Sequence, residues 1–325
     1  MNYRTFPSTG WQVSEIGLGT WQLGGQWGKV DEPVALDILA AAVDRGVNFF
    51  DTADIYGAGR SENIIGKFLK SRPGRIYVAT KLGRLHGFPD GYSRDLFRRC
   101  TEDSLRRLGV DALDLTQLHC IPRAALERGD VFEWLRELRA EGKIQAFGAS
   151  VESMDEALLC LAQEGLASLQ IIFNIFRQKP IDALFSRAAA QGVALIIRLP
   201  LASGLLSGRI TRATRFAPND HRSFNRDGRA FNVGETFAGL EFERGLELVE
   251  KLKEFVPPGM DMAGFALRWI LDHPEVTVVI PGATRPQQAA VNAAASDLAP
   301  LPAELHDRLR SFYEREVRQH IRGPY

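Results

Sequence analysis

Eight short runs rich in β-branched and other apolar residues recur along this 325-residue chain, and longer stretches with helical spacing separate them. The runs are GLGTWQL (17–23), VNFFDTA (47–53), RIYVATK (75–81), DLTQLHC (114–120), IQAFGAS (144–150), LQIIFNI (169–175), ALIIRLP (194–200) and TVVIPGA (277–283). Most are almost continuously apolar, as expected of parallel strands buried on both faces. Successive runs start about 25–40 residues apart, except the last pair, about 80 apart. No Pro-, Gly- or Ser-rich linker interrupts them. The pattern predicts an α/β protein, a single (β/α)8 TIM barrel spanning residues 1–325. A doubly wound sheet is the alternative. It is weakened because no strand is followed by GxGxxG: Gly17-Leu18-Gly19 leads into Thr-Trp-Gln, and Gly57-Ala58-Gly59 into Arg-Ser-Glu.

The segments between the runs carry helix punctuation. Residues 33–45 end before Gly46, a suitable C′ residue. Ser61 with Glu62 is expected to cap ENIIGKFLKS, Asp130 to cap the helix that ends at Gly142, and Ser153 or Asp155 to open MDEALLCLAQEG. Residues 261–272 should stop before Pro274. Two segments stand outside the repeat. Residues 2–14 have two β-like halves around Ser8-Thr9-Gly10, a hairpin pattern placed to cover the bottom of the barrel. Residues 205–240, after the seventh strand, are rich in Arg, Asn, Gly and Phe and lack periodicity. A loop this long within a compact fold is usually functional.

Composition excludes several classes. Lys plus Arg is 40 and Asp plus Glu is 40, so the chain lacks the net basic character of a nucleic-acid binder. The three cysteines, Cys100, Cys120 and Cys160, show no CxxC spacing, and the six histidines are scattered, so no metal site is expected. No apolar h-region opens the chain and no run is long enough to span a bilayer. A cytoplasmic location is the expectation.

In a parallel barrel the active site forms at the C-terminal ends of the strands. There the second strand brings Asp51, with Tyr56 in the loop behind it, the third brings Lys81 and the fourth His119. Singly, each has an ordinary structural explanation: a turn cap, a snorkelling lysine, a rim aromatic, a satisfied histidine. Together at adjacent strand tips they form a chemical set. Buried charges at Asp51 and Lys81 are tolerable if they pair. The Lys81 ammonium is expected to lower the pKa of Tyr56, making the phenol a usable acid, while His119 donates a hydrogen bond to a substrate oxygen. Such a set protonates an oxygen that gains charge as hydride arrives at its carbon. The hydride must come from a nicotinamide cofactor.

The segments GLGTWQLGG (17–25), FDTADIYGAGRSE (50–62), VATKLG (78–83), DLTQLH (114–119), IQAFGAS, PLASGLLSGR (200–209) and VIPGATRPQQ (279–288) resemble the aldo-keto reductase superfamily, in the family's order and across nearly the whole chain. The resemblance implies a (β/α)8 barrel with an N-terminal hairpin and NAD(P)H-dependent interconversion of aldehydes, ketones or sugars with alcohols. It implies a catalytic tetrad of Asp51, Tyr56, Lys81 and His119. It also implies cofactor contacts from Gly19, Thr20, Trp21 and Asp51, and from Ser150 and Gln170 to the carboxamide. Leu199, Pro200, Leu201, Ser203, Gly204 and Leu205 would line the pyrophosphate path with Arg209 on a phosphate, and Gly282, Ala283, Gln288 and Asn292 the adenosine half.

Three positions depart from the family pattern. Val151 replaces the usual Asn after the serine, Arg198 stands where many members stack an aromatic ring on the nicotinamide, and Arg285 is shifted from the usual 2′-phosphate reader. Arg285 could still reach a 2′-phosphate from its shifted position, so NADP(H) is placed ahead of NAD(H), which stays open. Substrate contacts are expected from Trp21, Trp27, Tyr56, Leu85 and His119. Arg84 or Arg123 could meet an acidic or hydroxylated substrate, and Arg222–Arg229 could fold over the cofactor. The expected partner is a small carbonyl or sugar; the sequence sets no oligomeric state. Two rival functions remain: a lyase with Lys81 as Schiff-base nucleophile, and a non-catalytic nicotinamide-binding redox sensor.

Overall fold

A computed structural model describes every residue of the chain except Gln26. A hairpin pairs β1 (Tyr3–Thr5) with β2 (Gln12–Ser14), antiparallel, with Arg4 opposite Val13. Then come β3 (Leu18–Gly19), β4 (Phe49–Asp51), β5 (Tyr77–Leu82), β6 (Leu113–His119), β7 (Ile144–Ser150), β8 (Leu166–Ile172), β9 (Ala194–Arg198) and β10 (Val276–Val279). These eight strands form one sheet in sequential order, every pair parallel. The two edges meet through parallel bridges, Ile16 with Val279 and Gly19 with Gly282. Helices follow the strands on the outside, and the result is the (β/α)8 barrel that the repeat predicts.

Inside the barrel, Phe49, Ala79, Leu115, Ala146, Ala167, Ala194, Ile196 and Val278 form one apolar layer. Phe6 and Val13 of the hairpin, both fully buried, belong to that same cluster and close the bottom. Four of these strand residues are alanines, which leaves room for the bulky hairpin side chains to pack against the layer. The polar site is thereby confined to the other end.

Several boundaries differ from the sequence pattern. The sixth barrel strand is 166–172, not 169–175; Phe173 and Ile175 remain in the core beyond its end, so the hydrophobic run outlasts the ladder. The first is only two residues long, because Trp21–Gly24 turns into a 3-10 segment. Ser61 is no cap: the helix Arg60–Ser71 starts one residue earlier, after Gly59 at φ 90. The Ser61 hydroxyl instead accepts from Thr52 at 2.9 Å and donates to Thr20 at 2.8 Å, tying this helix to the ends of β3 and β4. Asp130 is likewise the first helical residue, behind Gly129. Ser153 does cap its helix, in a full capping box with Glu156.

The segment between β9 and the helix Phe242–Leu252 contains only short turns, at Ala202–Ser207, His221–Phe224, Val233–Glu235 and Phe237–Gly239. Long-range contacts hold it. The Arg322 guanidinium donates to the carbonyls of Gly239 (3.0 Å), Leu240 (3.2 Å) and Arg226 (3.2 Å). Among the described residues, no helix is long and apolar enough to cross a membrane.

Candidate active site

The strand ends converge on one cavity of about 680 Å³. Asp51 ends β4, Lys81 lies one residue before the end of β5, and His119 ends β6. Tyr56 sits in the loop after β4, and its backbone is pressed by the turn that follows β3. A Cβ at Gly24 would lie 2.7 Å from the Tyr56 carbonyl carbon, and Gly57 takes φ 63 beside it.

The four side chains come together. Lys81 Nζ donates to Asp51 Oδ1 at 2.5 Å and to the Thr52 carbonyl at 2.8 Å, and lies 3.4 Å from Tyr56 Oη. The Tyr56 and His119 rings meet edge-on, 5.8 Å apart. Trp21 stacks on Tyr56 at 6.1 Å. The other Asp51 oxygen accepts from Gln170 Nε2 at 2.6 Å, and Gln170 Oε1 in turn accepts from Ser150 Oγ at 3.3 Å. Ser150 itself is buried behind Gln170 and does not reach the cavity wall.

The electrostatics follow from this packing. Burial disfavours the Lys81 ammonium, but Asp51 and Tyr56 outweigh it and hold the lysine above its ordinary pKa. Burial pushes the Tyr56 phenol up; Lys81 pulls it down, with less effect. The net direction is therefore upward, and the expectation of a lowered phenol is corrected: proximity was readable from the motif, desolvation was not. Burial, then Arg84, Lys81 and Arg198, hold His119 well below its ordinary value, so it is a neutral imidazole. Its Nδ1 has no hydrogen-bond partner among the described residues.

A second polar group borders the first. Glu235, from the long segment after β9, pairs with Arg84 at 3.0 Å and with Arg198 at 3.3 Å. Burial pushes Glu235 up, but the two guanidiniums outweigh it and hold its carboxyl at about 2. Arg198 also donates to the Val151 carbonyl at 3.2 Å and approaches Cys120 Sγ at 3.5 Å. The anchor at position 151 is the backbone carbonyl, so it does not depend on which side chain stands there. Cys120, Glu152 and Glu235 bring their donor atoms within 4.8 Å of one another. Two guanidiniums already compensate Glu235, so a cation there would face their repulsion.

The cavity wall continues through Gly19, Thr20, Arg198, Leu199, Pro200, Leu201, Ser203, Gly204 and Arg209 to Gly282, Ala283, Arg285, Gln288 and Asn292. A dinucleotide fits these residues on two observations. Leu199 (φ 52), Ala202 (φ 48) and Ser203 (φ 56) hold left-handed backbone without being glycine, a strain that collects at ligand clamps. Arg209 and Arg285 form no ion pair among the described residues, so both are available to phosphate. Leu205 does not reach the wall; it is buried against Gly245. Leu85 is also off the wall, whereas Trp27 is on it. Arg123 is exposed and pairs with Glu127 and Asp155, away from the cavity. Arg222 lines the cavity but is paired with Asp220. Sequence reasoning missed Gln22, Ile55, Phe231 and Glu235, which also line it. For Phe231 and Glu235 no local signal exists, because the segment carrying them has no periodicity.

Comparison with known proteins agrees with this geometry. A family model described as aldo/keto reductase family matches residues 15–314. The chain is 32% identical over 301 residues to the aldo-keto reductase YhdN of Bacillus subtilis, covering 89% of this chain and 86% of that one. It is 29% identical over 309 residues to the NADH-specific methylglyoxal reductase of Escherichia coli, covering 88% and 90%. Among solved structures it is similar to the glycerol dehydrogenase AKR11B4 of Gluconobacter oxydans, with a TM-score of 0.79, 28% identity and coverage of 100% and 98%. With the barrel, the strand-end residues and these matches in agreement, the chain belongs to the aldo/keto reductase family.

Proposed function

We propose that the whole chain acts as one catalytic unit, an NAD(P)H-dependent reductase of small aldehydes, ketones or sugars in which Tyr56 is the proton donor. One observation carries this reading: the Lys81 ammonium sits between the Asp51 carboxylate and the Tyr56 hydroxyl, beside a neutral His119. When bound, the reduced nicotinamide supplies the hydride. A carbonyl oxygen resting between Tyr56 Oη and the His119 ring accepts hydrogen bonds from both. As that oxygen gains charge, Tyr56 releases its proton to it, and Lys81 stabilises the phenolate left behind. Asp51 keeps Lys81 charged and aimed, and Gln170 keeps Asp51 in place. In the oxidation direction Tyr56 must start as phenolate, whereas in reduction it starts as the neutral phenol that its raised pKa maintains at neutral pH.

Gln170, which lines the cavity and is steadied from behind by Ser150, faces the carboxamide in this reading, and Arg209 and Arg285 bind phosphate. Arg285 favours NADP(H), while a relative that uses NADH keeps the alternative in view. The lyase reading is disfavoured, because a Schiff-base nucleophile must be a neutral amine and Asp51 holds Lys81 charged. Titration with NADPH and NADH by Trp fluorescence, followed by a carbonyl panel with the tighter cofactor, tests the proposal. Binding with turnover supports it. No binding of either cofactor overturns it, and binding without turnover of any carbonyl makes the protein a nicotinamide sensor.

A further inference from the structure

We propose that the substrate end of this cavity selects short aldehydes or ketones that carry a carboxylate, and that Arg84 is the residue that reads it. The inference rests on the reductase reading and deepens it. Arg84 lines the cavity beside His119, on the loop that follows Lys81. Its guanidinium lies over the Phe231 ring at 5.1 Å. It spends one nitrogen, Nη1, on Glu235, at 3.0 and 3.3 Å to the two carboxylate oxygens. Its Nε and Nη2 donate to nothing among the described residues. A planar fork with two open donors matches a carboxylate. The walls around it are aromatic, Trp21, Trp27 and Phe231, so room for the rest of the substrate is short.

Charge balance points the same way. Two guanidiniums, Arg84 and Arg198, face one firmly ionised carboxylate, Glu235. The remaining acid is Glu152, which Glu235, Arg198, Arg84 and the Asn232 amide face; burial, then Glu235, pushes it up to about 7. Arg177, whose pKa burial lowers to about 10, stays charged at neutral pH and also faces Arg198 and Glu152, adding to the positive excess. Cys120 is pushed up to about 12 and stays a thiol, His119 is neutral, and Lys81 and Asp51 cancel. Below pH 7 Glu152 takes a proton and the positive excess grows by one charge; above pH 7 it shrinks by that charge. A carboxylate on the substrate supplies the missing partner. In the reaction the carbonyl carbon takes a hydride, its oxygen takes the Tyr56 proton, and the carboxylate is unchanged.

The test compares 4-oxobutanoate with its methyl ester, which present the same aldehyde with and without the charge, across pH 6 to 8. Taking the ratio of kcat/KM for acid over ester cancels the pH dependence of the tetrad. The ratio should exceed one and should fall roughly fivefold from pH 6 to pH 8 as Glu152 ionises. Glu152→Gln should hold the ratio at its pH 6 value throughout. Arg84→Gln should lower the ratio about tenfold, with Arg84→Lys recovering only part of it. A ratio near one at both pH values overturns the proposal, as does an Arg84→Gln variant that loses acid and ester alike. So does a wild-type enzyme that reduces other aldehydes but neither probe. Those three outcomes leave the reductase reading intact; failure to reduce any carbonyl removes both.

Discussion

Replacing Asp51 by Asn should destabilise the protein by about 3–5 kcal/mol at pH 7, the usual range for breaking a buried ion pair, and the loss should shrink as pH rises. Asp51 and Lys81 are both nearly inaccessible to solvent and lie 2.5 Å apart. At that separation and an effective dielectric of about 20 their attraction is about 7 kcal/mol. The variant need not lose all of it, because Lys81 can release its proton. From an ordinary lysine pKa of about 10.4, discharge at pH 7 costs about 5 kcal/mol, which caps the penalty. Discharge has a signature. The folded variant then binds one proton fewer than its unfolded chain, so its stability rises by about 1.4 kcal/mol per pH unit up to the lysine pKa. The wild-type lysine has a raised pKa and stays charged over the same range, so its contribution is present below the unfolded value and changes little between pH 7 and 9.

The Asn amide also meets the Gln170 amide, which now donates to Asp51 at 2.6 Å. The Asn can keep only one of the two acceptors, so with its oxygen toward Gln170 it presents Nδ2 to Lys81, an arrangement that a discharged amine satisfies by accepting. Urea unfolding of both proteins at pH 7, 8 and 9 measures the effect. A penalty equal at pH 7 and pH 9, or one below about 1 kcal/mol, would refute the claim that this pair is held charged in a desolvated site.

Two further outcomes follow from separate parts of the molecule. Phe6→Ala removes the fully buried ring that closes the bottom of the barrel and should cost about 3–5 kcal/mol in denaturant unfolding while leaving carbonyl turnover unchanged; a loss under about 1 kcal/mol would show that the hairpin is not part of the core. Arg285→Ala should weaken NADPH binding about tenfold more than NADH binding in fluorescence titrations, since one charge-assisted phosphate contact is worth about 1.5–3 kcal/mol; equal weakening would show that this arginine does not read the 2′-phosphate.

The legible parts of the molecule were those written in local sequence. Strand and helix periodicity set the barrel, and reactive side chains at successive strand tips marked where Asp51, Tyr56, Lys81 and His119 meet. The illegible parts depend on distant contacts. Ser61 looks like a cap until Thr20 and Thr52 claim its hydroxyl. Glu235 sits among 36 residues without periodicity (205–240); its position is set by pairing with Arg84 and Arg198 and by Arg322 holding the neighbouring backbone. Arg84 and Arg123 were equivalent candidates in sequence, and only the fold separates the one in the cavity from the one in solvent. The direction of the Tyr56 shift was missed for a similar reason, because a motif reports neighbours but not how much water they exclude.

The account rests most heavily on Tyr56 as the source of the proton. Tyr56→Phe keeps the ring, and with it the stack on Trp21, while removing the hydroxyl beside Lys81. The direct measurement is single-turnover reduction of an aldehyde by the preloaded NAD(P)H complex, in the variant and in the wild type, from pH 6 to 10. The account predicts near-normal cofactor affinity, a rate lowered by at least about a hundredfold in the variant, and a wild-type rate with no loss from phenol ionisation through neutrality, because the Tyr56 phenol is raised above its ordinary value. A variant that reduces the aldehyde within a few-fold of the wild-type rate would show that the proton comes from elsewhere.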